Sequence, residues 1–337
     1  MIVYIVAQAV HATGGQELLH QFSKALSDRG IENYMLYFNG EGLDCPVAEP
    51  YKKYDVKYVD EYIDSADSVL VLAEGLLGML NRVKCEKGTL MVWWLSVDNY
   101  LSPLQSTGTV DDENLDAFGL RLRENAVHFV QSYYAKDFLE KRMDIAHCYF
   151  LMDYINDDIE KIASMYRTMS YRRQDICLFN PRKGYEDLRP VIEACRKNIR
   201  WIPLIGYKAS EMAALMCLSK VYVDFGPHPG KDRIPREAAM CGCCIMTNRR
   251  GSAAYSEDVG IPEQYKVDDM EDIDGILHRL YILVDHYEEE WEGFSDYRNA
   301  IASEKAGFMR DLDTALMILE DSVEDRKKRA LHTCDNS

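Results

Sequence analysis

Between residues 226 and 237 the chain reads Gly226-Pro-His228-Pro-Gly-Lys231-Asp-Arg233-Ile-Pro-Arg236-Glu237. An apolar run, Val221-Tyr-Val-Asp-Phe225, precedes it, and a second, Cys243-Cys-Ile-Met246, follows. Short apolar runs bounded by turn residues read as buried strands. The segment is therefore strand, charged turn, short helix, strand. In open parallel sheets, ligands bind just past the carboxyl ends of strands. Lys231 and Arg233 thus sit where a phosphate would sit. Glu237, on the helix that follows, is placed to accept hydrogen bonds from hydroxyls. Cations beside a carboxylate suit a nucleotide sugar, which carries a pyrophosphate and a ribose. His228 can bind phosphate or the carboxylate of a sugar acid, or serve the loop itself.

The same logic applies after the run Asp175-Ile-Cys-Leu-Phe179, where Asn180-Pro-Arg182-Lys183-Gly184 makes a turn. Arg182 can grip a diphosphate with two N–H groups, and Lys183 adds a point charge. Gly251 and Ser252 follow a third strand and offer backbone N–H groups to phosphate or sugar. In the first half, Trp93-Trp-Leu-Ser-Val-Asp98 ends a buried strand on a carboxylate. Asp98 could take a proton from an attacking hydroxyl. His11, at the end of the first strand, is the other candidate base. Asp111-Asp112 falls in a loop and reads as a solvated turn rather than a metal site. No acidic pair is evident at a strand end beside the cations, so no metal and no cofactor are expected.

These residues need a scaffold, and the chain supplies alternating elements. Strand runs at Met1 to Ala9, Asn33 to Phe38, Ser68 to Ala73 and Thr89 to Leu95 alternate with helical stretches. The helix after Thr13 places Leu18, Leu19, Phe22, Ala25 and Leu26 at a period near 3.6. A second alternating block begins at Asp175, after polar sequence near residues 156–173. The 337 residues favour two domains. Such alternation predicts doubly wound parallel sheets, hence an α/β protein.

Composition excludes several classes. A formal net charge of -17 argues against nucleic acid and against wholesale binding to anionic lipid. The basic run Arg326-Lys-Lys-Arg329 allows at most peripheral membrane contact. No apolar run approaches the roughly 20 residues of a membrane span. Ten cysteines without a disulfide-like framework fit a reducing cytoplasm. Cys241 and Cys244 read as small packing residues.

The segment Glu237-Ala-Ala-Met-Cys-Gly-Cys-Cys-Ile resembles the donor-binding helix of the GT-B glycosyltransferases, in particular the group 1 glycosyl transferases and a bacterial subgroup of them. Thr13-Gly14-Gly15-Gln16-Glu17 looks like the Gly-Gly-x-Glu that opens their first helix, and Arg182-Lys183-Gly184 sits where they carry a pair of cations for the donor diphosphate. One departure is Pro229, where retaining members carry a glutamate, so inversion and retention both stay open. The resemblance implies the GT-B plan, two Rossmann-like doubly wound domains facing a cleft. It implies an acceptor domain over residues 1–165, joined by a returning C-terminal helix at 306–330, and a donor domain over 170–305. It further implies a metal-independent, hexosyltransferase-like enzyme moving sugar from a nucleotide-diphosphate sugar to a glycan or glycolipid acceptor, in bacterial surface polysaccharide synthesis. Gly14 and Gly15 would lie on the acceptor side. A GT-B sugar-nucleotide epimerase and a catalytically inactive GT-B binding subunit are the competing readings.

Overall fold

The structure is a computed structural model that describes residues 1–100, 122, 125–169 and 171–334. Asp111 and Asp112 lie outside the described residues. The chain divides into two compact units. One comprises Met1–Asp153 with the chain from Ala306 onward, the other Tyr154–Lys305.

In the first unit the elements are β1 (Ile2–Gln8), α1 (Gly14–Asp28), β2 (Asn33–Phe38), β3 (Tyr58–Val59), β4 (Ser68–Ala73), β5 (Thr89–Trp94), β6 (Ala126–Val130), α2 (Tyr133–Arg142) and β7 (Cys148–Phe150). The strands form one parallel sheet in the order β3-β2-β1-β4-β5-β6-β7. Tyr4 of β1 stands between Tyr34 and Leu70 in register. Every residue of β5 is buried, and β4 is buried up to Ala73. Strands buried on both faces need helices on both sides, as parallel sheets require. Thr13 caps α1 by accepting from the Gln16 N–H, and Leu18, Leu19, Phe22, Ala25 and Leu26 all turn inward. After β4 the chain makes a 3₁₀ stretch over Glu74–Asn81 instead of an α-helix. Gly75 and Gly78 weaken any regular helix there.

In the second unit follow α3 (Asp157–Thr168), β8 (Gln174–Phe179), α4 (Tyr185–Ala194), β9 (Arg200–Pro203), α5 (Ala209–Leu218), β10 (Ser219–Asp224), α6 (Arg233–Met240), β11 (Cys244–Asn248), β12 (Lys266–Val267), α7 (Ile273–Asp285), α8 (Tyr287–Glu292) and α9 (Ser295–Cys334). The sheet order is β12-β11-β10-β8-β9, all parallel. The unit boundary at Asp153/Tyr154 precedes the expected one near residue 165. The reason is packing: Ile155, Ile159 and Ala163 bury themselves in the core around Ile176, Met216 and Val221. Cys241, Cys243 and Cys244 belong to the same core.

Helix α9 crosses the second boundary without a break. In its later part Phe308, Leu312, Ala315, Leu319 and Val323 are buried, a stripe at helical spacing. Asp311 there accepts from the Met152 N–H at 3.1 Å, and Asp313 pairs with Arg29 at 2.8 Å. The basic run at its end is engaged within the same unit: Lys327 lies 2.6 Å from Asp67, and Arg326 donates to the Asn125 carbonyl at 3.3 Å. Among the described residues, no helix is long and apolar enough to cross a membrane.

Candidate functional site

In the second sheet the direction of winding reverses between β8 and β10, the neighbours at its centre. Such a switch point opens a crevice at the carboxyl ends of the strands. Three loops meet there, after β8, β10 and β11. Gly184 has φ +66, and a Cβ on it would come within 2.3 Å of the Gly226 nitrogen. Gly251 has φ +54, and a Cβ there would stand 2.0 Å from the His228 carbonyl oxygen. Only glycine lets these backbones pass so closely. Asn248 locks the arrangement: its side-chain amide donates to the carbonyls of Phe225 at 2.7 Å and Gly226 at 3.0 Å.

The loops carry an alternating set of charges. Lys183 Nζ lies 3.0 and 3.1 Å from the two oxygens of Asp232. His228, fully buried, has Nδ1 3.3 Å from Asp232 and Nε2 3.9 Å from Asp224. The Nδ1 approach is close but misaligned for a hydrogen bond. Burial pulls the imidazole down, yet Asp232 and Asp224 outweigh it and hold His228 above its ordinary pKa. Burial pushes Asp232 up, but His228 and Lys183 bring it below the ordinary carboxylate value. Asp224, deeper and further from Lys183, is held above that value by its burial. The expectation of no acidic pair at a strand end is corrected here. Asp224 ends β10, and its oxygen, the His228 ring and Asp232 offer ligand atoms within 4.8 Å of one another. Sequence spacing hid the pair because Asp224 reads as part of an apolar strand.

The other expected donor residues divide into two groups. Arg182 is exposed, with its N–H held by Asn180 Oδ1 at 3.0 Å and its guanidinium unpaired among the described residues. Arg233 opens α6 and Glu237 lies half-buried one turn further on. These, with Lys183, remain near the crevice loops. Lys231 is engaged inside the unit, away from where the strand-end position alone would put it. Its side chain is 8% exposed and lies 3.0 Å from Glu304, which also takes Arg236 at 2.7 Å. Its charge is already neutralised inside the unit. Ser252 is likewise consumed: its N–H donates to the His228 carbonyl at 2.8 Å and its hydroxyl to Gly230 at 2.7 Å. Gly251, Ser252 and His228 thus shape the loop from inside. Arg250, not foreseen, reaches Asp187 at 2.5 Å and lies beside the same loop through the Phe225 carbonyl at 3.4 Å.

The first unit has its own switch point, between β1 and β4. Val10, just past β1, has φ +47. A β-branched residue in that region is strained by about 1–3 kcal/mol. His11 follows it, exposed, and Gly14 and Gly15 open α1. Asp98 follows β5, half-buried, and accepts from the Tyr134 hydroxyl at 3.0 Å. Burial, with Asp98 beside it, pushes Tyr134 up to about 12. Sequence reading missed Glu74, which directly follows β4 and is 4% exposed. Its Oε2 accepts from the Leu95 N–H at 2.7 Å and so fixes the loop that carries Asp98. Burial lifts Glu74 to about 7, against the pull of the backbone N–H groups it accepts from. A carboxylate directly after the apolar run at 69–73 was the available signal.

No family model matches the chain, and no curated protein matches it in sequence. Solved structures do. Sucrose-phosphate synthase from Thermosynechococcus elongatus is similar at 12% identity over 95% of this chain and 99% of that one, with a TM-score of 0.68. A glycosyltransferase from Rickettsia africae matches at 12% identity over 96% and 98%, with a TM-score of 0.61. Anabaena HepE in complex with UDP-glucose matches at 11% identity over 96% and 100%, with a TM-score of 0.62. At such identity the likeness concerns the fold, and the fold is GT-B.

Proposed function

We propose that this chain is a glycosyltransferase that moves a hexosyl group from a nucleotide-diphosphate sugar to a glycan or glycolipid acceptor. The observation that carries the reading is the interlocked trio of loops at the β8/β10 switch point. The β8 loop carries Arg182 and Lys183, and the β10 loop leads into α6, which opens at Arg233 and bears Glu237 one turn on. A diphosphate leaving group needs cations aimed at the charge that develops on it. Arg182, Lys183 and Arg233 supply them without a metal ion. Glu237 is suited to accept hydrogen bonds from ribose hydroxyls. The similar Anabaena protein was solved with UDP-glucose, which supports a nucleotide sugar as donor. Asp98 is the candidate base for the acceptor hydroxyl, held in place by Tyr134 and by the Glu74 anchor. The same reading places the enzyme in the cytoplasm, in bacterial surface polysaccharide synthesis.

The test is a thermal-shift screen of the purified protein against UDP-, GDP-, ADP- and CMP-sugars. Donor turnover with and without an oligosaccharide acceptor follows. A donor at about 100-fold excess over its Kd should raise stability by roughly 2.7 kcal/mol. Acceptor-dependent release of a nucleoside diphosphate is expected. Failure of every nucleotide sugar to bind would overturn the reading. Turnover that never needs an acceptor would move the assignment to an epimerase.

A further inference from the structure

The second unit has a cavity of about 490 Å³ at the other edge of its sheet. Arg173 stands just before β8, Cys217 just before β10, and Gly242 just before β11, and all three line it. The cavity therefore lies at the amino ends of the strands. A six-residue strand spans about 20 Å, so it is well separated from the switch-point loops.

Its lining carries four arginines, Arg167, Arg172, Arg173 and Arg298, against two carboxylates, Glu160 and Glu288. Arg173 is half-buried and donates to the carbonyls of Met216 at 3.0 Å, Ser219 at 2.5 Å and Cys241. Its guanidinium also lies 5.5 Å from the Tyr287 ring centre. Arg298 stacks on Trp291 at 3.7 Å and donates to the Trp291 carbonyl at 2.8 Å. Carbonyls at the C-terminal ends of α5 and α6 and the two rings fix the direction of both guanidinium groups and offset part of their charge, but no carboxylate pairs with either among the described residues. Arg172 adds a third, exposed, at the rim. Among the described residues no ion pair engages Arg172, Arg173 or Arg298. Arg167, in the same wall, is by contrast paired with Glu160 at 2.6 Å. Burial, and Arg173 among the charges nearby, bring Arg298 below its ordinary pKa. Unpaired like charges in a partly desolvated wall are unfavourable unless an anion joins them. The volume is within the roughly 300–1,000 Å³ of small-molecule sites, and it exceeds what a bare phosphate needs.

We propose that this cavity is a second anion-binding site, which takes a phosphorylated small molecule of about sugar-phosphate size at the edge of the sheet remote from the nucleotide-sugar loops. The inference does not depend on the transferase reading.

Calorimetric titration of the full chain with ribose-5-phosphate, inorganic phosphate and ribose tests it. Saturable binding of ribose-5-phosphate, weaker binding of phosphate and none of ribose is expected. Arg298→Ala and the exposed Arg172→Ala should each weaken ribose-5-phosphate about tenfold or more, as loss of a charged hydrogen bond does. Arg182→Ala, in the other loops, should leave that affinity unchanged. Because Arg298 also packs on Trp291, Arg172→Ala decides if the first variant fails to fold. Binding lost in Arg182→Ala but kept in Arg172→Ala would place the anion in the switch-point loops and overturn the proposal. So would the absence of saturable binding by both phosphorylated probes.

Discussion

Lys183 and Asp232 form a two-oxygen ion pair across the β8 and β10 loops, with Nζ 3.0 Å from Oδ1 and 3.1 Å from Oδ2. The partners are 49 residues apart in sequence and are brought together by the parallel pairing of β8 with β10. On the proposed transferase reading, an arriving diphosphate would compete with Asp232 for that ammonium. Lys183→Ala is expected to weaken nucleotide-sugar binding by about 1.5–3 kcal/mol, roughly ten- to a hundred-fold. Asp232→Asn keeps the shape and releases the ammonium, so binding should tighten. Calorimetry with the best donor decides. If both variants weaken binding equally, the pair is a structural unit and not a donor contact.

Glu304 carries two buried cations at once, Lys231 at 3.0 Å and Arg236 at 2.7 Å. Removing one partner from a buried ion pair strands the remaining charge, at about 3–5 kcal/mol. Glu304→Ala should therefore shift the urea midpoint strongly. Replacing Lys231, Arg236 and Glu304 together by apolar residues should recover most of the loss. A change in Glu304→Ala below about 1 kcal/mol, typical of surface pairs, would show that the triad is hydrated in solution.

Glu74 gives a pH dependence of defined sign. Its carboxyl titrates near 7 in the fold and near its ordinary 4.5 in the unfolded chain. Between these values the folded protein holds the extra proton, so stability falls as pH rises through that window. The full penalty, roughly 3 kcal/mol at 1.36 per pKa unit, is reached above about pH 7. Glu74→Gln cannot ionise. Its stability relative to wild type should rise from pH 4.5 to 7 in denaturant melts. Parallel profiles for the two proteins would exclude Glu74 as the titrating group.

Asp224, His228 and Asp232 could in principle hold a divalent ion. Lys183 already occupies both oxygens of Asp232, and the imidazole is held toward its cationic form. Donor binding and turnover are therefore expected to survive EDTA. Loss of turnover with EDTA and its rescue by Mn²⁺ would place an ion on these three residues and end the metal-free reading.

Apolar runs and helical spacing predicted the parallel α/β plan, because burial on both faces of a strand leaves a local trace in residue type. Ser68–Ala73 and Asn33–Phe38 form strands as expected, and α1 buries the expected stripe. The strand-end position of Arg182 and Lys183 was legible for the same reason. The two- and three-residue strands β3, β7 and β12 were not, since so short a run shows no periodicity. Nor does sequence separate Arg182 from Lys231, two cations in similar turns. One is exposed, while the other is neutralised by Glu304, 73 positions away by residue number. Residue type and neighbours determined which elements form and where charges fall along them. Only the tertiary structure decided which charges are already paired, because pairing depends on distance and desolvation between segments far apart in the chain.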